Sequence, residues 1–164
     1  MAIKTIRKIG DPVLRKVSEK VQKIDKEIFS LIDDMIDTIN CDEYNAVGLA
    51  AVQIGVLKRV IVVKWNKTEV FINPEIKIID NEMEEQQEGC LSLYSIGAIV
   101  KRPKKIQVTA LTPKSQKVHF TAEGMLARIF LHEVDHLDGK LFIDYLDSET
   151  KRDLMVKISQ KNVM

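Results

Sequence analysis

His132-Glu133-Val134-Asp135-His136 is the stretch around which this chain organises itself. It falls inside a segment that predicts a helix, with Thr121 placed as an N-cap, Glu123 in the first turn and Gly139 placed to end it. On a helix, residues four apart share a face, so His132 and His136 can aim two imidazole nitrogens at one cation. Glu133 stands beside them, within reach of a water held by that cation. The chain has only 3 histidines, and two of them take this spacing, which weighs against ordinary polar helix residues.

A catalytic site of this kind needs three protein ligands and one open position. The string continues as Leu137-Asp138-Gly139-Lys140-Leu141-Phe142, which follows the extended metzincin pattern up to its glycine but has Phe142 where a third histidine would stand. That subclass is excluded. Glu149 is a downstream carboxylate candidate for the third ligand. Cys90 is the stronger one, because Glu88-Gly89-Cys90-Leu91-Ser92 sets a thiol after a flexible glycine, and thiolate suits zinc or ferrous iron. Taken alone, Cys90 also reads as a free buried cysteine.

Outward from this helix, Ile28, Leu31, Ile32, Met35, Ile36 and Ile39 recur at three- and four-residue spacing and predict a helix from about Asp25 to Asn40. Gly10-Asp11-Pro12 reads as a turn. Strands are predicted over Arg59 to Lys64, Val70 to Ile72, Ile76 to Ile79, Ala98 to Val100, Ile106 to Leu111 and Lys117 to Phe120, with breaks at Asn73-Pro74, Arg102-Pro103 and Thr112-Pro113. Several connections are too short for helical crossovers, so antiparallel pairing is expected. A last helix is predicted from Ser148 to about Lys161, with Leu154, Met155 and Ile158 on one side. The fold class is therefore α+β: antiparallel β-sheets packed around a central metal-binding helix, with an N-terminal and a C-terminal helix.

With 164 residues, the chain is expected to form one catalytic domain over 1–164. Its 25 basic and 24 acidic side chains nearly cancel, which leaves no large field of one sign to attract DNA or an anionic membrane. A small-molecule or peptide substrate is the better default. No apolar run approaches the roughly 20 residues of a membrane span, and Met1-Ala2-Ile3-Lys4 lacks the apolar stretch of a secretory signal. A cytoplasmic location is expected, where Cys41 and Cys90 favour thiol chemistry or metal ligation over a disulfide.

Three strings together carry a resemblance. Gly48-Leu49-Ala50-Ala51-Val52-Gln53, Glu88-Gly89-Cys90-Leu91-Ser92 and His132-Glu133-Val134-Asp135-His136, in this order and at these separations, resemble the signature motifs of the peptide deformylases. Ile9-Gly10-Asp11-Pro12-Val13-Leu14-Arg15 resembles that family's N-terminal segment. The resemblance implies a hydrolase that takes the formyl group from the N-terminal methionine of newly synthesised polypeptides and releases formate. It implies Cys90, His132 and His136 as metal ligands and Glu133 as general acid/base. The Gln53 side-chain amide and the Leu91 backbone N–H are the implied donors to the oxyanion, and Glu88 and Arg102 the implied partners that orient the ligands. One divalent ion per chain is implied, ferrous iron first, with zinc, nickel or cobalt able to substitute.

Gly48, Ala50 and Ala51 let main chain approach a ligand closely, which suits a segment that hydrogen-bonds an extended peptide. Positions three, four and seven before His132 share its helical face and select Ile129, Arg128 and Met125. Met125 and Ile129 are candidates to line a pocket for the substrate's methionine side chain. With Val47, Gly48 and Gly89 they make up the expected substrate-binding set for N-formyl-methionyl peptides. Asp135 and Asp138 are placed to cap or orient the end of the helix. Ala46, Tyr94, Gly97 and Leu131 depart from the family's usual glycine, proline, large polar residue and glutamine. Two other readings stand beside this one: a small metallopeptidase using the same helix motif, and a catalytically silent binding module on the same scaffold. Lys151, Arg152, Lys157 and Lys161 give the last helix a mild basic excess that fits transient ribosome contact, and the chain is expected to act as a monomer.

Overall fold

The computed structural model describes residues 2–162. Its first long helix, α1 (Lys26–Ile39), starts where the sequence indicates, because the Asp25 carboxylate accepts hydrogen bonds from the backbone N–H groups of Glu27 and Ile28. Ile28, Leu31, Ile32, Met35 and Ile39 form its buried face. The strands are β1 (Gly48–Ala50), β2 (Val60–Lys64), β3 (Thr68–Ile78), β4 (Met83–Gly89), β5 (Gly97–Pro103), β6 (Lys105–Leu111) and β7 (Lys117–Glu123). They form a five-stranded sheet in the order β1-β2-β3-β6-β7 and a separate pair, β4-β5, antiparallel throughout. Helices α2 (Gly124–Leu137) and α3 (Ser148–Asn162) follow.

The run Val60-Ile61-Val62-Val63 is apolar at every position because β2 is covered on both faces. Ile61 and Val63 face a core shared with Ala127, Phe130 and Val134 of α2, while Val60 and Val62 face a core shared with Leu31, Ile32 and Met35 of α1. Phe71 of β3 and Phe130 of α2 meet edge to face with centroids 5.0 Å apart, which seats the helix on the sheet. A third core joins Val100 of β5 to Leu141, Phe142 and Ile143 and to Leu154 and Ile158 of α3. Helix α2 thus lies between the larger sheet and the β4-β5 pair, as the sequence predicts for the metal-binding helix.

Several boundaries differ from the sequence reading. Asn73-Pro74 does not end a strand; β3 runs through it with a bulge between Ile72 and Glu75. Asn73 takes φ 52°, its side-chain oxygen accepts from the Val21 N–H at 2.8 Å, and its amide donates back to the Val21 carbonyl at 3.0 Å. Thr121 does not cap α2, since it pairs with Gln107 in the sheet, and β7 continues to Glu123. The chain then turns at Gly124, φ 60°, a conformation glycine adopts without a side-chain clash. Strand β5 runs on to Pro103, beyond the predicted end at Val100, and Arg102-Pro103 marks the break before β6 as the sequence indicates. Strand β4 has no counterpart in the sequence reading, because Glu84, Glu85, Gln86 and Gln87 show none of the apolar alternation that marks a strand. In α3, Leu154 and Ile158 are buried but Met155 is exposed. Among the described residues no helix is long and apolar enough to cross a membrane.

Behind α2 the chain is fastened to its N-terminal segment. Gly139 takes φ 74°, and a Cβ there would press on the Arg15 backbone, 2.9 Å from its carbonyl carbon. The Arg15 guanidinium grips both oxygens of Asp144 at 2.7 and 3.0 Å. Partial burial pushes the Asp144 carboxyl up, but the Arg15 hydrogen bonds and the Leu141 N–H outweigh it and hold it below the ordinary range. A lowered folded pKa adds stability above the unfolded value and loses it as pH falls through the folded one. Asp144→Asn is therefore expected to lower the urea midpoint at neutral pH, and the gap from wild type should close on acidification below the ordinary carboxylate range.

Candidate metal centre

Cys90 ends the β4-β5 side of the site and His132 and His136 lie one turn apart on α2. The Cys90 sulfur is 3.4 Å from His136 Nε2, which is 3.3 Å from His132 Nε2. Ligating atoms of the three residues all lie within 4.8 Å of one another. One thiol and two imidazole nitrogens at this separation fit a divalent ion of the zinc or iron class. Glu149, the other candidate from sequence, is an exposed residue in the first turn of α3 and is no part of this group.

The imidazoles are oriented differently. His132 Nδ1 lies 2.9 Å from Glu88 Oε1, so a proton on Nδ1 leaves Nε2 free to face the sulfur. Burial opposes charge on His132, yet the Glu133 carboxylate and the bonds to Cys90 and Glu88 hold its pKa well above the usual value, so a metal at Nε2 would have to displace a proton. His136 is driven the other way by burial and then by the charge of His132, which favours the neutral ring that a metal ligand requires.

Glu88 and Arg102 are buried, not exposed charges. Glu88 Oε2 accepts from Arg102 Nε at 2.8 Å and from Arg128 Nη1 at 2.6 Å, while Oε1 accepts from Arg102 Nη2 at 2.9 Å and faces His132. Burial raises the Glu88 carboxyl, but the Arg102 and His132 hydrogen bonds prevail and bring it down to about 2. Arg102 also donates to Asp135 Oδ2 at 2.6 Å, and the Tyr145 hydroxyl donates to the same oxygen at 2.9 Å. Asp135 thus orients the helix through Arg102, while Asp138 accepts from Arg59 at 2.9 Å at the helix end.

Gln53 is 2% exposed, which removes the reading of it as a surface polar residue. Its Oε1 accepts from the Ala50 N–H at 3.0 Å, which turns Nε2 toward Ser92 Oγ at 3.2 Å and the Cys90 sulfur at 3.6 Å. Leu91 opens the short 3-10 turn Leu91–Leu93, so its N–H has no partner within that turn. Glu133 is buried with Oε1 lacking any hydrogen-bond partner among the described residues, and burial pushes its carboxyl up to about 7. Gly48 packs against that carboxylate so closely that a Cβ would fall 2.9 Å from its carboxyl carbon.

A cleft of about 290 Å³ opens over the centre. Val47, Gly48, Gly89, Met125 and Ile129, the expected substrate-binding set, all line it, together with Gln53, Leu91, His132 and Glu133. Among the positions that depart from the family pattern, Ala46 lines the cleft and Leu131 packs against the core under α2. Gly97 pairs with Gly89, and a Cβ at Gly97 would strike the Glu88 carbonyl, 3.1 Å from its carbon. Sequence reasoning placed Arg128 on the helical face of His132 but gave it no role. Its signal was a cation on an otherwise apolar face, which requires a buried partner.

The family model described as Polypeptide deformylase matches residues 3–152. The chain belongs to this family. Curated relatives include the peptide deformylase of Natranaerobius thermophilus, 47% identical over 146 residues, which span 88% of this chain and 92% of the relative. The peptide deformylase of Azotobacter vinelandii is 43% identical over 165 residues, spanning 98% and 96%. Among solved structures, a peptide deformylase from Legionella pneumophila superposes with a TM-score of 0.91 at 36% identity, covering 98% of this chain and 96% of that one. The Ehrlichia chaffeensis peptide deformylase in complex with actinonin gives 0.90 at 34% identity, covering 98% of each.

Tyr94 is one of the positions at which the sequence departs from the resemblance. Here Tyr94 takes φ 57° and Ser95 φ 60°, a conformation closed to proline, which is locked near −65°. The Tyr94 ring lies 4.9 Å from Lys8 Nζ, which donates to the Leu91 carbonyl at 2.8 Å. Tyr94→Pro is expected to destabilise this protein by about 3 kcal/mol, read as a lowered urea midpoint.

Proposed function

We propose that this chain removes the N-formyl group from the N-terminal methionine of newly synthesised polypeptides and releases formate, acting over residues 1–164 as one catalytic domain. The observation that carries the proposal is the meeting of Cys90, His132 and His136 under a cleft where Oε1 of the buried Glu133 has no hydrogen-bond partner among the described residues. Cys90 Sγ, His132 Nε2 and His136 Nε2 would hold a divalent ion. When bound, such an ion polarises a carbonyl and makes water nucleophilic near neutral pH.

Glu133 is the general base and then the general acid. Burial sets its carboxyl at about 7, so Oε1 can take a proton from the attacking water and return it to the departing amine near neutrality. Gln53 Nε2 and the Leu91 N–H are the donors aimed at the oxygen on which charge develops, each worth on the order of 3 kcal/mol. Gln53 is held for this by its bond to the Ala50 N–H. Main chain at Val47, Gly48 and Gly89 receives the extended peptide, and Met125 and Ile129 enclose the methionine side chain. A peptidase would use the same ligands and base, and membership of the deformylase family weighs against that reading and against a silent module.

Ferrous iron is the proposed metal in the cell, with zinc, nickel or cobalt able to replace it, and elemental analysis after anaerobic purification identifies it. The proposed setting is the cytoplasm, as a monomer. Burial of Leu154 and Ile158 leaves Lys151, Arg152, Lys157 and Lys161 exposed on α3, a mild basic excess through which the chain would touch ribosomal RNA. Co-sedimentation with ribosomes that is unchanged on deleting residues 148–164 would overturn that contact.

Formate release from a formyl-methionyl peptide, with none from ordinary internal peptide bonds, is the expected assay result. Gly48→Ala should reduce kcat about 100-fold by pushing the Glu133 carboxylate out of place, while leaving metal content intact. Cleavage of internal bonds without formate would sink the proposal.

A further inference from the structure

The β4-β5 pair carries Cys90, but no strand hydrogen bonds join it to the five-stranded sheet. A two-stranded pair is marginal by itself. Its apolar side packs through Val100 on α3 and on the turn around Phe142, in a core to which α2 contributes no buried residue. Yet the sulfur at the end of this pair must stay within a few tenths of an ångström of its place relative to two imidazoles on α2. Polar links between α2 and the pair have to supply that register.

Arg128 supplies the most of them. It lies on α2 one turn before His132 and is 3% exposed. Nη2 donates to the Glu84 carbonyl of β4 at 2.6 Å, and Nη1 donates to the Val100 carbonyl of β5 at 2.8 Å. The same Nη1 donates to Glu88 Oε2 at 2.6 Å, the carboxylate that faces His132. One guanidinium therefore reaches the main chain of both strands and the carboxylate that orients a metal-ligating imidazole. A planar fork with five donors can do this, and a lysine ammonium on a flexible stem cannot.

We infer that Arg128 is a positioning residue that fixes the β4-β5 pair against α2 and so sets the spacing of the Cys90 sulfur from the two imidazoles. The inference rests on Cys90, His132 and His136 binding a metal, and not on the identity of the substrate.

The test uses the full chain loaded with cobalt(II), in wild-type, Arg128→Lys and Arg128→Met forms. Arg128→Lys keeps the charge beside Glu88 and loses the fork, whereas Arg128→Met loses both. The readouts are the thiolate-to-cobalt charge-transfer band and the rate of cobalt loss to a chelator. Arg128→Met is expected to lose cobalt about 10–100-fold faster than wild type with a weakened band, and Arg128→Lys to fall between the two. Turnover per bound metal should fall less than retention does. If Arg128→Lys keeps the wild-type band and loss rate, the fork sets nothing and the inference fails, whether or not Arg128→Met folds. Wild type that takes up no cobalt would overturn the metal reading as well. Wild type that binds cobalt but yields no formate would sink only the proposed activity.

Discussion

The Glu88 carboxylate is the constraint on which the centre depends. Buried between α2 and the β4-β5 pair, it has both oxygens engaged, by Arg102, Arg128 and His132. A carboxylate offers about four acceptor sites, and four groups occupy them here. With the half-buried Asp135 on Arg102, two carboxylates face the buried guanidinium groups of Arg102 and Arg128. Losing one partner of such a pair costs about 3–5 kcal/mol, because the other is left charged and dry. The arrangement is rigid for that reason, and rigidity is what an imidazole needs to hold one nitrogen on a metal.

Packing supplies the rest of the frame. Because β2 is apolar on both faces, α1 and α2 clamp the sheet from opposite sides, and α2 has little freedom to slide. The β1 segment then passes beside α2, where Gly48 leaves room for the Glu133 carboxyl and no more. Burial raises that carboxyl toward neutrality, and its Oε1 has no hydrogen-bond partner among the described residues. One packing decision thus brings the base into line and tunes it.

The turn after Cys90 shows a different economy. Two consecutive non-glycine residues, Tyr94 and Ser95, take left-handed conformations that cost roughly 1–2 kcal/mol each. Lys8 offsets part of this by stacking on the Tyr94 ring and bonding the Leu91 carbonyl. The N-terminal segment is therefore tied to the metal centre from one side and, through Arg15 and Asp144, to the chain beyond α2 from the other.

The helices and most of the sheet are legible in the sequence, since the periodicities of α1, β6 and α3 and the unbroken β-branched run of β2 report local burial that the chain carries in its own order. The sequence also determined the ligating pair His132 and His136, because four-residue spacing on a helix is a local geometry. Cys90 was favoured over Glu149 by donor chemistry, and the roles of Gln53, Leu91, Glu88 and Arg102 came from motif resemblance. Only the tertiary structure decided the polar strand β4, the bulge at Asn73, the start of α2 at Gly124 and the place of Arg128. Each of these depends on a partner distant in the chain: Arg102 across the hairpin, Val21 against Asn73, Gln107 opposite Thr121, and Glu84 and Val100 on the Arg128 fork. Local pattern records which face of an element is buried; it does not record which polar group waits there to be bonded.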